Sequence, residues 1–185
     1  MIEKLSRATL IIAGILAVSA CTLDKAKTTA PVARVAAADY QERSAGAPPA
    51  AAVRGNCLTA EEIGVYRGRM LQQEFTVATL SCQNPNGTRA YEQDYATFLS
   101  KFSADMVANA RSFQQLAARK RLNVDVVVTE FANRTAQKVT TDREFCGRNK
   151  RALDWALSPK VTTITQVPPP YDLGPDMNTY PCASP

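Results

Sequence analysis

The chain has 185 residues, and its 22 lysines and arginines against 17 aspartates and glutamates give a formal net charge of only +5. It contains no histidine, which excludes Ser-His and Cys-His nucleophilic pairs and histidine-bound metal sites. The densest basic groups lie within residues 119–121 and 143–151. A nucleic-acid surface needs more cations, with aromatic side chains between them on one face. We therefore expect no nucleic-acid partner and no metal or other cofactor.

The N-terminus has the layout of a secretory signal, since Lys4 and Arg7 precede an apolar run over residues 8–18. This run is shorter than the roughly 20 residues that a transmembrane helix needs. It ends in Val18-Ser19-Ala20-Cys21, which resembles the lipobox of bacterial lipoproteins. The resemblance implies that residues 1–20 are removed and that Cys21 carries acyl chains, which anchor the protein in a membrane. The alternative is an ordinary secretory signal in which Cys21 plays no part.

The residues after Cys21 bear on location and reach. Among lipoproteins of enteric bacteria, an aspartate after the cysteine retains the protein in the inner membrane, whereas this chain has Thr22. The resemblance therefore implies an outer-membrane anchor with the protein facing the periplasm. Residues 21–56 are mostly Ala, Pro, Val and Thr, with too little bulky apolar surface to fold. We predict a flexible tether, about 35 residues long with a root-mean-square reach of roughly 30 Å.

Residues 57–158 are predicted to form an all-α domain. Thr59 and Glu62 have the spacing of a capping box, which starts a first helix that runs to about Cys82. The turn sequence over residues 84–87 ends this helix. One apolar stripe then predicts a second, long helix of about eight turns. The stripe comprises Tyr91, Tyr95, Phe98, Leu99, Phe102, Met106, Ala110, Phe113, Leu116 and Ala117.

Residues 123–129 leave two interpretations open. Their β-branched run favours a strand, but the apolar residues from Val124 to Phe131 also fit a helical face with Asn123 as its cap. Since no partner strand is visible, we predict a third helix. Thr141 and Glu144 repeat the spacing of a capping box and predict a fourth helix that ends at Ser158. Trp155 lies off the centre of its apolar stripe and covers either the bundle edge or a partner.

The cysteines other than Cys21 predict two disulfides, because an even count in an exported chain is typical of paired thiols. Four cysteines permit three connectivities. In an antiparallel bundle of about four helices, Cys82 and Cys146 lie at one pole, which favours their pairing. Cys57 and the tail that carries Cys182 lie at the opposite pole, which favours the second pair. That pair would tie back the proline-rich tail over residues 159–185.

A second resemblance covers about residues 60–157. The segments over residues 71–82 and 95–98 and the pair Phe145-Cys146 are similar to a diffuse, uncharacterised group of small exported helical proteins of Gram-negative bacteria. The resemblance supports a helical fold and the pairing of Cys82 with Cys146. It implies no activity.

The sequence places no general acid against a base, so we predict no catalytic residues and do not expect an enzyme. We expect a structural or partner-binding module of the cell envelope. Its expected partners are the membrane, through the lipid on Cys21, and an envelope protein. One alternative is a carrier that holds a small apolar ligand near Tyr91, Tyr95, Phe98 and Phe102. Another is an enzyme with chemistry that needs no histidine.

Overall fold

The computed structural model describes residues 39–41 and 57–182, and helices account for most of them. The α-helices are α1 (Ala60–Ser81), α2 (Glu92–Lys101), α3 (Ser103–Lys120), α4 (Val124–Thr141) and α5 (Phe145–Leu157). Two short 3-10 helices follow at Ile164–Gln166 and Pro175–Met177. Within the described ranges the only β-type pairings are two isolated bridges. The predicted all-α fold is confirmed.

Helix α1 lies at the centre of the domain. It packs most extensively against α3 and α4, and it also contacts α2, α5 and the first 3-10 helix. The predicted capping box is confirmed: the Glu62 N–H donates to the Thr59 hydroxyl at 3.2 Å, and the Thr59 N–H donates to the Glu62 carboxylate at 3.0 Å. Leu80, in the last turn of α1, is 54% exposed.

The predicted long helix is divided in two at Phe102. The backbone of Phe102 leaves helical geometry, with φ −108° and ψ 20°. The break directs Phe98 and Phe102 into a core formed with α5 and the tail. Phe113 and Leu116 instead enter a second core with α1 and α4. The prediction of one long helix was therefore wrong, because the two halves of the apolar stripe pack into different cores.

The third and fourth predicted helices are present as α4 and α5. Asn123 caps α4 by accepting from the Val126 N–H at 3.1 Å, so the β-branched run is helical. The capping box predicted at Thr141 is wrong, because Thr141 is the last residue of α4 and its hydroxyl donates to the Gln137 carbonyl at 3.0 Å. The Trp155 indole donates to the Gln166 carbonyl at 3.3 Å, so this ring lies against the tail.

Both predicted disulfides are confirmed. Cys57 pairs with Cys182 across a sequence separation of 125 residues, and Cys82 pairs with Cys146 across 64 residues. In the chain-entropy model each of these long closed loops stabilises the fold by about 4 kcal/mol.

The proline-rich tail is part of the core, which therefore extends beyond the predicted end of the helical domain at residue 158. Its buried residues are Val161, Ile164, Val167, Tyr171 and Leu173. The Ile164 N–H donates to Asp105 at 2.9 Å, and the Tyr171 N–H donates to the buried Glu74 at 3.0 Å. The tail thus hydrogen-bonds to one carboxylate of α3 and one of α1 before it reaches the Cys57–Cys182 disulfide.

A polar network around Asp142 holds the tail against α5. The Asp142 carboxylate accepts from the Glu144 N–H at 2.8 Å, Arg148 Nε at 3.1 Å and the Tyr171 hydroxyl at 2.7 Å. Burial alone would raise the pKa of Asp142, but these donors and the Arg148 charge lower it below its usual value. Burial first, and then the Asp142 carboxylate, raises the pKa of Tyr171, which keeps this hydroxyl protonated as a donor.

We expect Asp142→Asn to lower the free energy of unfolding by about 1–3 kcal/mol near pH 7, because it removes the charge that the donors face. Since folding lowers the pKa of Asp142, its contribution is present above the pKa of the unfolded chain and is lost as pH falls through the folded-state pKa. Urea unfolding at about pH 7 and about pH 2.5 checks this. Asp176→Asn, at an exposed residue, is the control. A deficit of equal size at both pH values would contradict the prediction.

Helices α1 and α3 approach closely where Gly68 faces Asn109. Asn109 Nδ2 donates to the Val65 carbonyl at 2.9 Å, and a Cβ atom on Gly68 would lie only 2.7 Å from that nitrogen. Asn109 is 8% exposed, so its amide depends on this hydrogen bond. Glycine at residue 68 is therefore required by the contact between the helices.

Gly68→Ala should displace the Asn109 amide and lower the free energy of unfolding by about 1–2 kcal/mol. In an Asn109→Ala background the same change should stabilise by about 0.5–1 kcal/mol, because alanine favours helix over glycine. Gly64→Ala is the matched control in the same helix, since its Cβ would lie 3.9 Å from Thr165, an ordinary contact. Denaturant unfolding of the double-mutant cycle measures the coupling, and equal effects of Gly68→Ala in both backgrounds would contradict this account.

Candidate interaction surface

One side of α3 forms a continuous solvent-exposed stripe, which we call the α3 face. Its residues are Ser103, Ala104, Val107, Ala108, Arg111, Gln114, Gln115, Ala118 and Arg119. They recur at steps of three and four residues, so they line one side of the helix. None is a carboxylate. The one acidic residue of α3, Asp105, binds the Ile164 N–H of the tail.

The opposite side of α3 fixes the orientation of the α3 face. Asn109, Phe113, Leu116 and Ala117 are buried on that side. The Phe113 ring centroid lies 6.1 Å from that of Tyr66 in α1 and 6.4 Å from that of Phe131 in α4. Because this packing locks the rotation of α3, the same exposed residues are always presented to solvent.

The apolar part of the surface continues over the turn between α3 and α4. Arg121 ends α3 in the left-handed conformation, with φ 55°, and the Leu122 N–H donates to the Ala117 carbonyl at 2.8 Å. Leu122 is 39% exposed and Val126 is 58% exposed, and Val107 on the α3 face is 54% exposed. Arg121 is exposed as well. Exposed large apolar residues and an exposed arginine thus occur at the turn that follows the α3 face.

A cleft of about 300 Å³ lies between α1 and α3 at one edge of the α3 face. It is lined by Thr59, Glu61, Glu62, Val65, Ser112, Gln115, Leu116 and Arg119. The Glu62 carboxylate lies 3.3 Å from Arg119 Nη2 and 3.3 Å from Lys120 Nζ. Burial alone would raise the pKa of Glu62, but the Thr59 N–H, Lys120 and Arg119 lower it. These ion pairs position Arg119 at the border between the cleft and the α3 face.

The charged residues of the α3 face match those of surfaces that bind protein. Such interfaces are enriched in arginine and depleted in lysine, glutamate and aspartate, but they are also enriched in aromatic residues and depleted in serine and alanine, so the match is confined to the charged residues. A helix that lies on a bilayer presents bulky residues such as Trp, Phe and Leu along its apolar face, and the α3 face carries no aromatic residue. The α3 face therefore lacks the apolar side chains of a membrane-bound helix and shares its charge pattern with protein interfaces.

The aromatic residues that suggested a ligand carrier are engaged within the protein. The Tyr91 hydroxyl donates to the Cys146 carbonyl at 2.9 Å, and the Tyr95 hydroxyl lies 2.8 Å from that of Thr76. The Phe98 ring centroid lies 5.0 Å from that of Phe75 and 5.2 Å from that of Phe102. These contacts identify the four rings as packing elements.

The basic residues over 143–151 do not form one patch. Arg148 pairs with Asp142, and Lys150 lies between Asp94, at 3.5 Å, and Asp154.

Within residues 39–41 and 57–182, no cluster of three or more Cys, Asp or Glu side chains is arranged to hold a metal ion. In the same ranges, no helix has both the length and the apolar character needed to cross a bilayer.

The disulfide cysteines are placed as predicted, and Cys21 lies outside the described residues, so its lipidation stays a prediction. The α3 face was not identified from the sequence, although a signal for it exists. The predicted apolar stripe described the buried half of α3, and among the remaining positions of the helix Asp105 is the only carboxylate. The exposed positions of α3 carry arginines but no aspartate or glutamate, and this pattern is the sequence signal for the surface.

No protein-family model matches the chain, and comparisons with curated proteins and with solved structures give no match.

Proposed function

We propose that this protein is a lipid-anchored module of the bacterial cell envelope that binds a partner protein through the α3 face. The observation that carries the binding role is the exposed stripe of arginine, glutamine and small apolar residues without a carboxylate. The anchoring role is supported by the lipobox resemblance of Val18-Ser19-Ala20-Cys21, which follows a signal-like N-terminus.

The disulfides support export. Disulfides persist in oxidising compartments such as the bacterial periplasm and are rare where thiols are kept reduced. Both pairs are formed here, and they tie together segments that are distant in sequence. With Thr22 after the lipid-accepting cysteine, the proposed location is the outer membrane, with the domain facing the periplasm.

The charge of the surface defines the chemistry of the partner. Arg111 and Arg119 of the α3 face and Arg121 just after it are exposed, and so are the apolar residues Val107 and Leu122. Opposite charges across an interface steer association and fix its register. The partner should therefore present carboxylates around a small apolar patch. The fixed helix loses little conformational freedom on binding, which favours affinity.

A carrier or an enzyme is less well supported. The rings that would line an apolar site pack against one another, and Glu62 is engaged in the capping box and two ion pairs. We propose neither function.

Replacing Cys21 tests the anchor. We expect wild-type protein to incorporate labelled fatty acid and to remain with the membrane fraction, whereas Cys21→Ala should incorporate none and should be released, because the thiol that accepts the lipid is gone. Mass measurement of the mature N-terminus provides a second readout. Mature wild-type protein that begins at another residue, or that carries no lipid, would refute the anchor.

A photoreactive amino acid at Gln114 tests the binding surface in the full-length chain in cells. We expect one discrete protein adduct, because Gln114 lies in the middle of the α3 face. The matched control is the same probe at Gln137, an exposed glutamine of α4, and it should give no such adduct. Arg111→Glu should lower the adduct yield about tenfold, the effect of a loss of about 1.4 kcal/mol in binding.

Three results would overturn the binding role. These are a phospholipid adduct in place of a protein adduct at Gln114, equal adducts at Gln114 and Gln137, and a yield that does not respond to Arg111→Glu. The adducted protein must also present an acidic surface, since capture alone does not identify a specific partner.

A further inference from the structure

Tyr40, within the predicted tether, is buried in the folded domain. It has no exposed surface, and it belongs to the core that contains Leu71 and Phe75 of α1, Leu153 of α5 and Val167 of the tail. Tyr40 lies 17 positions before Cys57 in the sequence. The chain therefore makes a specific contact with the domain well before the first helix begins.

Hydrogen bonds at both ends of the Tyr40 residue fix this contact. Its hydroxyl donates to the Pro168 carbonyl at 3.0 Å, and its own carbonyl accepts from Arg148 Nη1 at 2.7 Å. The neighbouring Gln41 amide donates to the Pro169 carbonyl at 3.3 Å. The carbonyl groups of Pro168 and Pro169 are available as hydrogen-bond acceptors, because a proline-rich segment forms no helix or sheet that would use them.

Arg148 connects this contact to the rest of the domain. The same guanidinium donates through Nε to Asp142, and its central carbon lies 5.5 Å from the centroid of the Tyr171 ring. Asp142 and Tyr171 together hold the tail. The site that receives Tyr40 is thus formed by α1, α5 and the tail, and contacts that do not involve residues 39–41 also join these elements.

We propose that residues 39–41 form a latch that sets the working length of the tether. The sequence prediction of a flexible tether over residues 21–56 gives the size of the effect. A flexible chain of the length of residues 22–38 has a root-mean-square reach of about 23 Å and a maximum of about 60 Å, and one of the length of residues 22–56 has a reach of about 33 Å and a maximum of about 120 Å. Closing the latch would shorten the tether from the second length to the first. The effect on distance from the membrane rests on the proposed lipid anchor, whereas the latch itself does not.

The contact is of a kind that opens while the domain stays folded. Two side chains, those of Tyr40 and Gln41, and the Tyr40 carbonyl hold residues 39–41, and neither disulfide includes them. The helices that form the core are joined to one another independently. Segments held by few contacts open locally at lower cost than global unfolding.

Limited proteolysis of the full chain with trypsin tests the latch. Arg34 and Arg43 lie on either side of the latch, and Tyr40 is three residues before Arg43. A protease must bind several residues before the cleaved bond in extended form, so a closed latch should slow cleavage at Arg43 and leave Arg34 unaffected. We expect Tyr40→Ala to raise the ratio of the Arg43 rate to the Arg34 rate about tenfold or more. Tyr40→Phe, which removes only the hydroxyl, should give an intermediate ratio.

The control is Asp39→Ala, which changes an exposed neighbour and should leave the ratio unchanged. Intact disulfides and a cooperative thermal unfolding transition establish that the domain of each variant is folded. Equal cleavage at Arg34 and Arg43 in the wild type, or an unchanged ratio in Tyr40→Ala, would overturn the latch. Both results are independent of lipidation.

The effect on tether length is measured in proteoliposomes that contain a dansyl phospholipid. Trp155 is the single tryptophan of the chain and serves as the donor. We expect less energy transfer from Trp155 to the bilayer in Tyr40→Ala than in the wild type. Equal transfer in two lipidated proteins whose cleavage ratios differ would overturn the control of tether length. Absence of lipid on the wild type would refute the anchor and leave the proteolysis result standing.

Discussion

The burial of α1 is the constraint on which the rest of this structure depends. Buried residues occur on several sides of this helix, including Tyr66, Leu71 and Phe75. A helix that is buried on several sides needs more cover than two neighbouring helices supply. Helices α2, α3, α4 and α5 provide part of that cover, and the tail adds to it. The disulfide between Cys57 and Cys182 then fastens the end of the tail beside the start of α1.

The need to cover α1 on several sides also explains why the apolar stripe of the predicted long helix is divided between two cores. The break at Phe102 lets α2 pack against α5 while α3 packs against α1 and α4. Once its inner side is committed in this way, α3 has one outward side, and that side carries the exposed arginines. The proposed binding surface and the core are therefore two consequences of one helix orientation.

The site that receives Tyr40 follows from the position of the tail. Because residues 168–171 cross the end of α5, their carbonyl groups and the Arg148 side chain converge on one place. A segment of the chain that precedes the domain fills it. With the anchor, the latch and the binding role of the α3 face that we propose, one small chain would combine a membrane attachment, an adjustable connection and a binding surface.

Local sequence determined much of this protein. The capping box at Thr59, the cap at Asn123 and the apolar periodicities specify helices, and the order of the helices was enough to favour both disulfide pairs, because cysteine positions at helix ends follow from antiparallel packing. Tertiary structure alone decided the break at Phe102, where no proline or glycine marks it, the burial of Tyr40 and the course of the tail. Those features depend on contacts between residues that are distant in sequence, and no local propensity encodes such contacts.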